Sequence, residues 1–539
     1  MRLLMAAALF GAAALYGQEN HSHQVHTVAR LGTVNFPVSC NAAAQAKFTR
    51  GVALLHSFGY EEAAGSFLEA SGADPSCGMA HWGVAMTYYH QIWAPPTPEE
   101  LKKGSAAAAL ATRTSAKNER ERDYIAALAI YYHDADNTPH LARAVAYREA
   151  MKGLHDKYPK DDEAAIFYAL AIRGTADEAD KTFALQKQAG AILQEVLPRN
   201  QNHPGVAHYL IHCYDYPPLA GLALPAARSY AEIAPDAPHA LHMPTHIFTR
   251  LGLWDESIDS NLASAASAKK RVAKMHPGAA SFDELHADDY LVYAWLQQAK
   301  DDRALGILKE MRAMSKVDDP QFAAAYAFMA APVRYALERR DWKAAAALQV
   351  SPEWFPWKSF PYAEAILHFG RALGCARTGD VAASENEIAK LGELKRLAPK
   401  KPYDWAAQVE IQEAAARAWL ALAKGEQAQA LAMARSAADL EDRTEKHPVT
   451  PGPVLPAREL LADMLMETGA RAEALAEYRA ALQVAPRRFR SLAGAAQAAE
   501  QSGDRSTAKR FYAELVELTK GATARRPELA QANTFLAQK

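Results

Sequence analysis

Near its C-terminus the sequence repeats itself at a fixed step: Gly469 returns as Gly503, Ala474 as Ala508 and Tyr478 as Tyr512, each 34 residues on. A step of that size marks stacked supersecondary units, none of which can bury its apolar face alone. The chain must therefore fold as an array of neighbours rather than around one central core, which also suits its 539 residues. The unit itself is legible near the N-terminus, in AKFTRGVALLHSFGYEEAAGSFLEASGADP. Gly51, Ala63 and Ala70 are small where two helices must approach closely. Leu54, Tyr60 and Phe67 are large where the gap must be filled, and Pro75 ends the unit. Half the residues are apolar and alanine is abundant, so these segments read as ordered helix.

This order of small and large residues resembles the tetratricopeptide repeat family, strongly at the two ends and around 238–264, weakly elsewhere. The resemblance implies an all-α, right-handed α-solenoid of about twelve helical hairpins. Those between the two ends fall near 78–115, 120–158, 161–198, 204–235, 238–271, 285–316, 322–350, 362–397 and 405–444. It also implies a concave groove that binds a peptide or protein partner. Proline and aromatic residues interrupt the rhythm at 92–100, 350–362 and 445–456, as ordered loops would. The expected division is a solenoid half at 44–350 and another at 351–539, with one continuous superhelix as the alternative.

Histidines recur on the same step. His208 and His212 are four apart, His242 and His246 are four apart, and the second pair follows the first by 34 residues. Residues four apart share a helix face. With Gly252 at the inter-helix turn, the resemblance puts His239, His242, His246 and Arg250 on the groove side of one unit. His208 and His212 face the groove from the unit before, and His286 and Asp289 from the unit after. Neutral imidazoles at such spacing suit a transition metal, with zinc and copper the expected ions. Asp215 and Asp289 are the candidates to orient ring N–H groups from behind. A metal with an open coordination position would make the chain a metal-dependent enzyme. Two other readings stay open: a metal-free groove in which the histidines and Arg250 recognise carboxylates, and histidines that merely hydrogen-bond between helices. HYLIH lacks the glutamate of the HExxH protease helix. Pro244 cannot donate to the carbonyl of Ala240, so a kink is expected between His242 and His246.

Residues 1–17 carry one early arginine and a short apolar run and read as a signal peptide; 18–43 read as a flexible leader containing His21, His23 and His26. The mature chain is then expected to be exported, periplasmic or extracellular, with no transmembrane anchor. In that setting Cys40 and Cys77, at the starts of neighbouring hairpins, are expected to pair, while Cys213 and Cys375 read as core residues. A net charge of −2 points away from nucleic acid. No Gly-rich phosphate loop is present, so no nucleotide is expected. Weaker candidates are an aromatic-rimmed pocket at His56, Trp82 and His90, and a carboxylate pair at Glu459 and Asp463 beyond His447. The first reads better as core and groove lining, the second as a solvated helix face.

Overall fold

The structure is a computed structural model that describes residues 29–92, 95–114 and 116–538. The expected signal peptide and His21, His23 and His26 lie outside the described residues. Among the described residues the chain is all-α: twelve helical hairpins run from Ala42–His56 with Tyr60–Ala73 to Phe489–Gln501 with Arg505–Leu518, and a last helix, Pro527–Ala537, follows. The expected small-on-large packing is present. A side chain at Gly51 or Gly83 would collide with the ring of Phe67, and one at Gly494 with the ring of Tyr478. No helix among the described residues is long and apolar enough to cross a membrane.

The described part of the expected flexible leader, 29–41, is docked instead. Phe36 is buried, with its ring 5.0 Å from Tyr124 and 5.3 Å from Phe48. Burial of Leu31 together with Phe36, the Thr33 N–H bond to the Asn202 carbonyl and the two bonds from Ser39 to Glu121 offset the ordering of this stretch. Cys40 and Cys77 are joined by a disulfide, with Cα atoms 5.2 Å apart. The bridge closes a loop between residues 37 apart, so replacing both cysteines with serine should lower stability by about 2–4 kcal/mol. An unchanged denaturation midpoint in that double variant would show the bridge to be idle.

The superhelix closes on itself. Arg271 of the sixth hairpin reaches Glu62 of the first at 2.5 Å, and Arg526 pairs with Asp301 across a separation of 225 residues. Trp254 Nε1 donates to the carbonyl of Arg487, and Gly252 turns with φ +66 so close to Pro486 that a side chain there would strike its carbonyl. Apolar packing accordingly forms two contiguous cores, from Leu31 to Phe248 and from Trp254 to Phe535. Phe355 and Trp357, at the expected boundary near 350, are buried in the second.

Closure buries the inner helices. Glu459 and Asp463, expected on a solvated face, are buried and fully ion-paired: Arg488 bonds Glu459 at 3.0 Å and Glu338 at 2.7 Å, and Arg340 bonds Asp463 at 2.9 Å. The repeat register located these positions correctly, but the C-terminal hairpins fold back over them. Trp82 is likewise a core residue.

Candidate metal centre

The six histidines singled out from the sequence come together as two sets of three. His208, His212 and His239 form one, His242, His246 and His286 the other; within each, the ligating atoms lie within 4.8 Å of one another. Each set follows one rule. An i, i+4 pair comes from the inner arm of one hairpin, and the third ring from the start of the next inner arm. His208 and His212 stand on Pro204–Tyr214, and His239 opens Pro238–His242. His242 ends that short helix, His246 lies on Pro244–Leu251, and His286 is in the first turns of Phe282–Gln297. The expected kink is there: the helix breaks at Met243 before Pro244, and His242 Nε2 and His246 Nε2 end 3.2 Å apart.

Hydrogen bonds behind the rings fix which nitrogen carries the proton. His208 Nδ1 lies 2.6 Å from the carbonyl oxygen of His56, which can only accept, so Nδ1 is protonated. His242 Nδ1 lies 2.7 Å from Asn261 Oδ1. Asn261 Nδ2 donates to Ser257 O and Thr245 Oγ1, which sets the amide the right way round. His246 Nδ1 lies 3.0 Å from Asp215 Oδ2. Burial alone would push Asp215 up, but Lys446 and Arg250 override it and hold the carboxyl well below the usual range. All three rings therefore present a bare Nε2 lone pair to the centre.

The Nε2 atoms of neighbouring rings come together. His208 Nε2 is 3.1 Å from both His212 Nε2 and His239 Nε2, and His242 Nε2 is 3.2 Å from His246 Nε2. The His242–His246 approach has no proton of its own to bridge it, and a buried His286 Nε2 beside it has no hydrogen-bond partner. Extra protons are disfavoured, since burial first and the neighbouring imidazoles second press five of the six rings well below 6.5, and burial lowers His246 too. Nitrogens about 3.3 Å apart are what a tetrahedral ion with bonds of about 2.0–2.1 Å demands. The donor set thus fits a transition metal in each trio.

The shifts also predict acid lability. Each ring binds its proton more weakly folded than unfolded, so below about pH 6.5 the unfolded chain holds more protons and stability falls with pH. Melts of metal-free protein from about pH 7.5 to about 5 should show a steep loss, at up to about 1.4 kcal/mol per ring per pH unit. A flat profile would mean that the rings are not buried neutral.

An aromatic ring covers each set. Phe58 sits 4.4 Å from His208, 5.5 Å from His239 and 5.7 Å from His212 between centroids, and its backbone adopts φ 55 to get there. That left-handed conformation is unfavourable for a phenylalanine by about 1–2 kcal/mol. Tyr290 lies 4.9–5.5 Å from the three rings of the second set. A small cleft lined by Arg173, Asp215, Tyr216 and Lys446 touches His212.

Of the supporting residues expected from sequence, Asp215 orients His246. Arg250 is a clamp rather than an anion receptor: it bonds Asp215 at 2.8 Å and Glu445 at 2.7 Å. Asp289 faces Arg334 at 3.9 Å. Asn261, Glu445, Lys446 and the carbonyl of His56 were not foreseen; only proximity in the fold reveals them. A third cluster, His56, Glu163 and His203, is satisfied without an ion. Its carboxylate takes one ring on each oxygen at 2.9 and 3.0 Å, and the remaining ring nitrogens bond Tyr209 and Gly205. It braces His56 behind His208.

No family model matches the chain, and no curated protein matches it. Among solved structures it is similar to a monomeric mutant of IFIT1 with Gppp-AAAA, at 12% identity over 89% of this chain and 98% of that one, TM-score 0.40. The human IFIT1 dimer with m7Gppp-AAAA gives 12% identity over 82% and 90%, TM-score 0.38. Naa15/Naa10 bound to HypK-THB gives 12% over 92% and 72%, TM-score 0.24. At such scores the ligands of those proteins carry nothing over to this chain.

Proposed function

We propose that this chain is an exported metalloprotein in which a tetratricopeptide-like solenoid serves as the rigid frame of a six-histidine transition-metal centre. The observation that carries the reading is the meeting of His242 Nε2 and His246 Nε2 at 3.2 Å, each ring having its only proton committed behind it. Packed helices rather than loops hold the ligands, as a pre-organised site requires. Three imidazoles leave a coordination position open, which supports a metal-dependent enzyme over a passive store.

A peptide groove at these positions is disfavoured, because His208, His212, His242 and His246 are all under 4% exposed. The Cys40–Cys77 bridge supports an oxidising compartment. Elemental analysis of protein purified from its native compartment is the test. Stoichiometric copper or zinc, lost on alanine substitution of both His208 and His246, is expected. Negligible transition metal in that preparation would end the reading.

A further inference from the structure

We infer that the centre holds two copper ions side by side and that the ligand shared between them is dioxygen. This rests on the metalloprotein reading and carries it further. The first ground is duplication. Two complete three-nitrogen sets exist, built by the same rule one repeat apart, each under its own aromatic ring. A single ion would occupy only one of the two sets. The second is proximity. The sets abut, with His212 and His246 rings 6.3 Å apart between centroids. Abutting sets are what a pair of ions sharing one bridging ligand requires.

The third ground is charge. All six donors are neutral imidazoles, and no carboxylate stands among them. The nearest, Asp215, is already matched by Arg250 and Lys446. Two divalent ions would bring four uncompensated charges into a buried site, two copper(I) ions only two. The cost of burying charge therefore favours the monovalent pair. Copper(I) also accepts three imidazoles as a sufficient set, leaving each ion open toward the other.

Such a pair has one natural reaction with a small diatomic. Each copper(I) gives up one electron; dioxygen accepts both, its double bond becomes the single bond of peroxide, and two copper(II) ions remain. With two protons from two water molecules the product leaves as hydrogen peroxide, so that two copper(I), one dioxygen and two waters give two copper(II), one hydrogen peroxide and two hydroxides, one of which takes the bridging place and offsets part of the added charge.

The experiment starts from the metal-free full chain, titrated anaerobically with copper(I) alone and, separately, with zinc(II) alone. Two coppers per chain are expected. On admission of oxygen, one dioxygen should be consumed per pair, and the resulting copper(II) should give almost no paramagnetic resonance signal, because two neighbouring copper(II) ions joined through a bridging ligand couple their spins. His239→Ala removes a ligand that is only half-buried, so the fold should persist; a mononuclear copper(II) signal should then appear. One copper per chain, two coppers with a full mononuclear signal, or copper(I) inert to oxygen would each overturn the proposal while leaving the metalloprotein reading standing. Failure to bind either ion would overturn both.

Discussion

Replacing His246 with alanine should empty the second histidine set and weaken its metal affinity by more than about 100-fold, beyond the 10–100-fold typical of losing an outer-shell partner. No other ring can substitute. His242 and His286 remain, but two imidazoles do not close a tetrahedral site, and the helix break at Met243 aims His242 specifically toward His246. The first set keeps all three of its rings, so metal content should fall by about half rather than to nothing. Asp215→Asn, which keeps the shape but not the charge behind His246, should fall in the 10–100-fold range. Metal content measured after dialysis against a weak chelator reads both. Full retention by His246→Ala would remove that residue from the ligand set.

The second large effect concerns the frame. Arg488 is wholly buried, bonded to Glu459 through two nitrogens at 3.0 Å, to Glu338 at 2.7 Å and to the Tyr293 hydroxyl at 2.9 Å. Arg488→Ala strands the Glu338 carboxylate in the interior, leaves Glu459 with Arg490 and Ser491 alone, and should cost about 3–5 kcal/mol. Adding Glu338→Gln and Glu459→Gln should recover a good part of the loss, since the penalty lies in the unpaired charges rather than in the absence of the pair. Urea unfolding read by the tryptophans measures it. An Arg488→Ala midpoint equal to that of the parent would show that water reaches this cluster.

Much of the centre was legible because helical repetition converts sequence spacing into position. A step of 34 residues puts His208 and His242 at equivalent places on neighbouring inner helices, and a spacing of four puts their partners beside them. His239 and His286 followed from the same register. The partition into two trios was not legible, because it depends on which ring of one helix leans toward the next. Nor were the partners behind the rings. Asn261 belongs to an outer helix, and Lys446 reaches Asp215 across 231 residues of sequence. The register also misled. Asp289 occupies a groove-side position, yet faces Arg334. Glu459 and Asp463 read as solvated because nearest-neighbour stacking says nothing of a superhelix that folds back on itself.

The second trio straddles the join between the two apolar cores: His242 and His246 precede the turn at Gly252, and His286 follows it. Neither half alone offers a complete nest for an ion there. An ion bound there would join the two coils, and its affinity would depend on both being folded and seated against each other. Metal at that position would thus report a finished assembly.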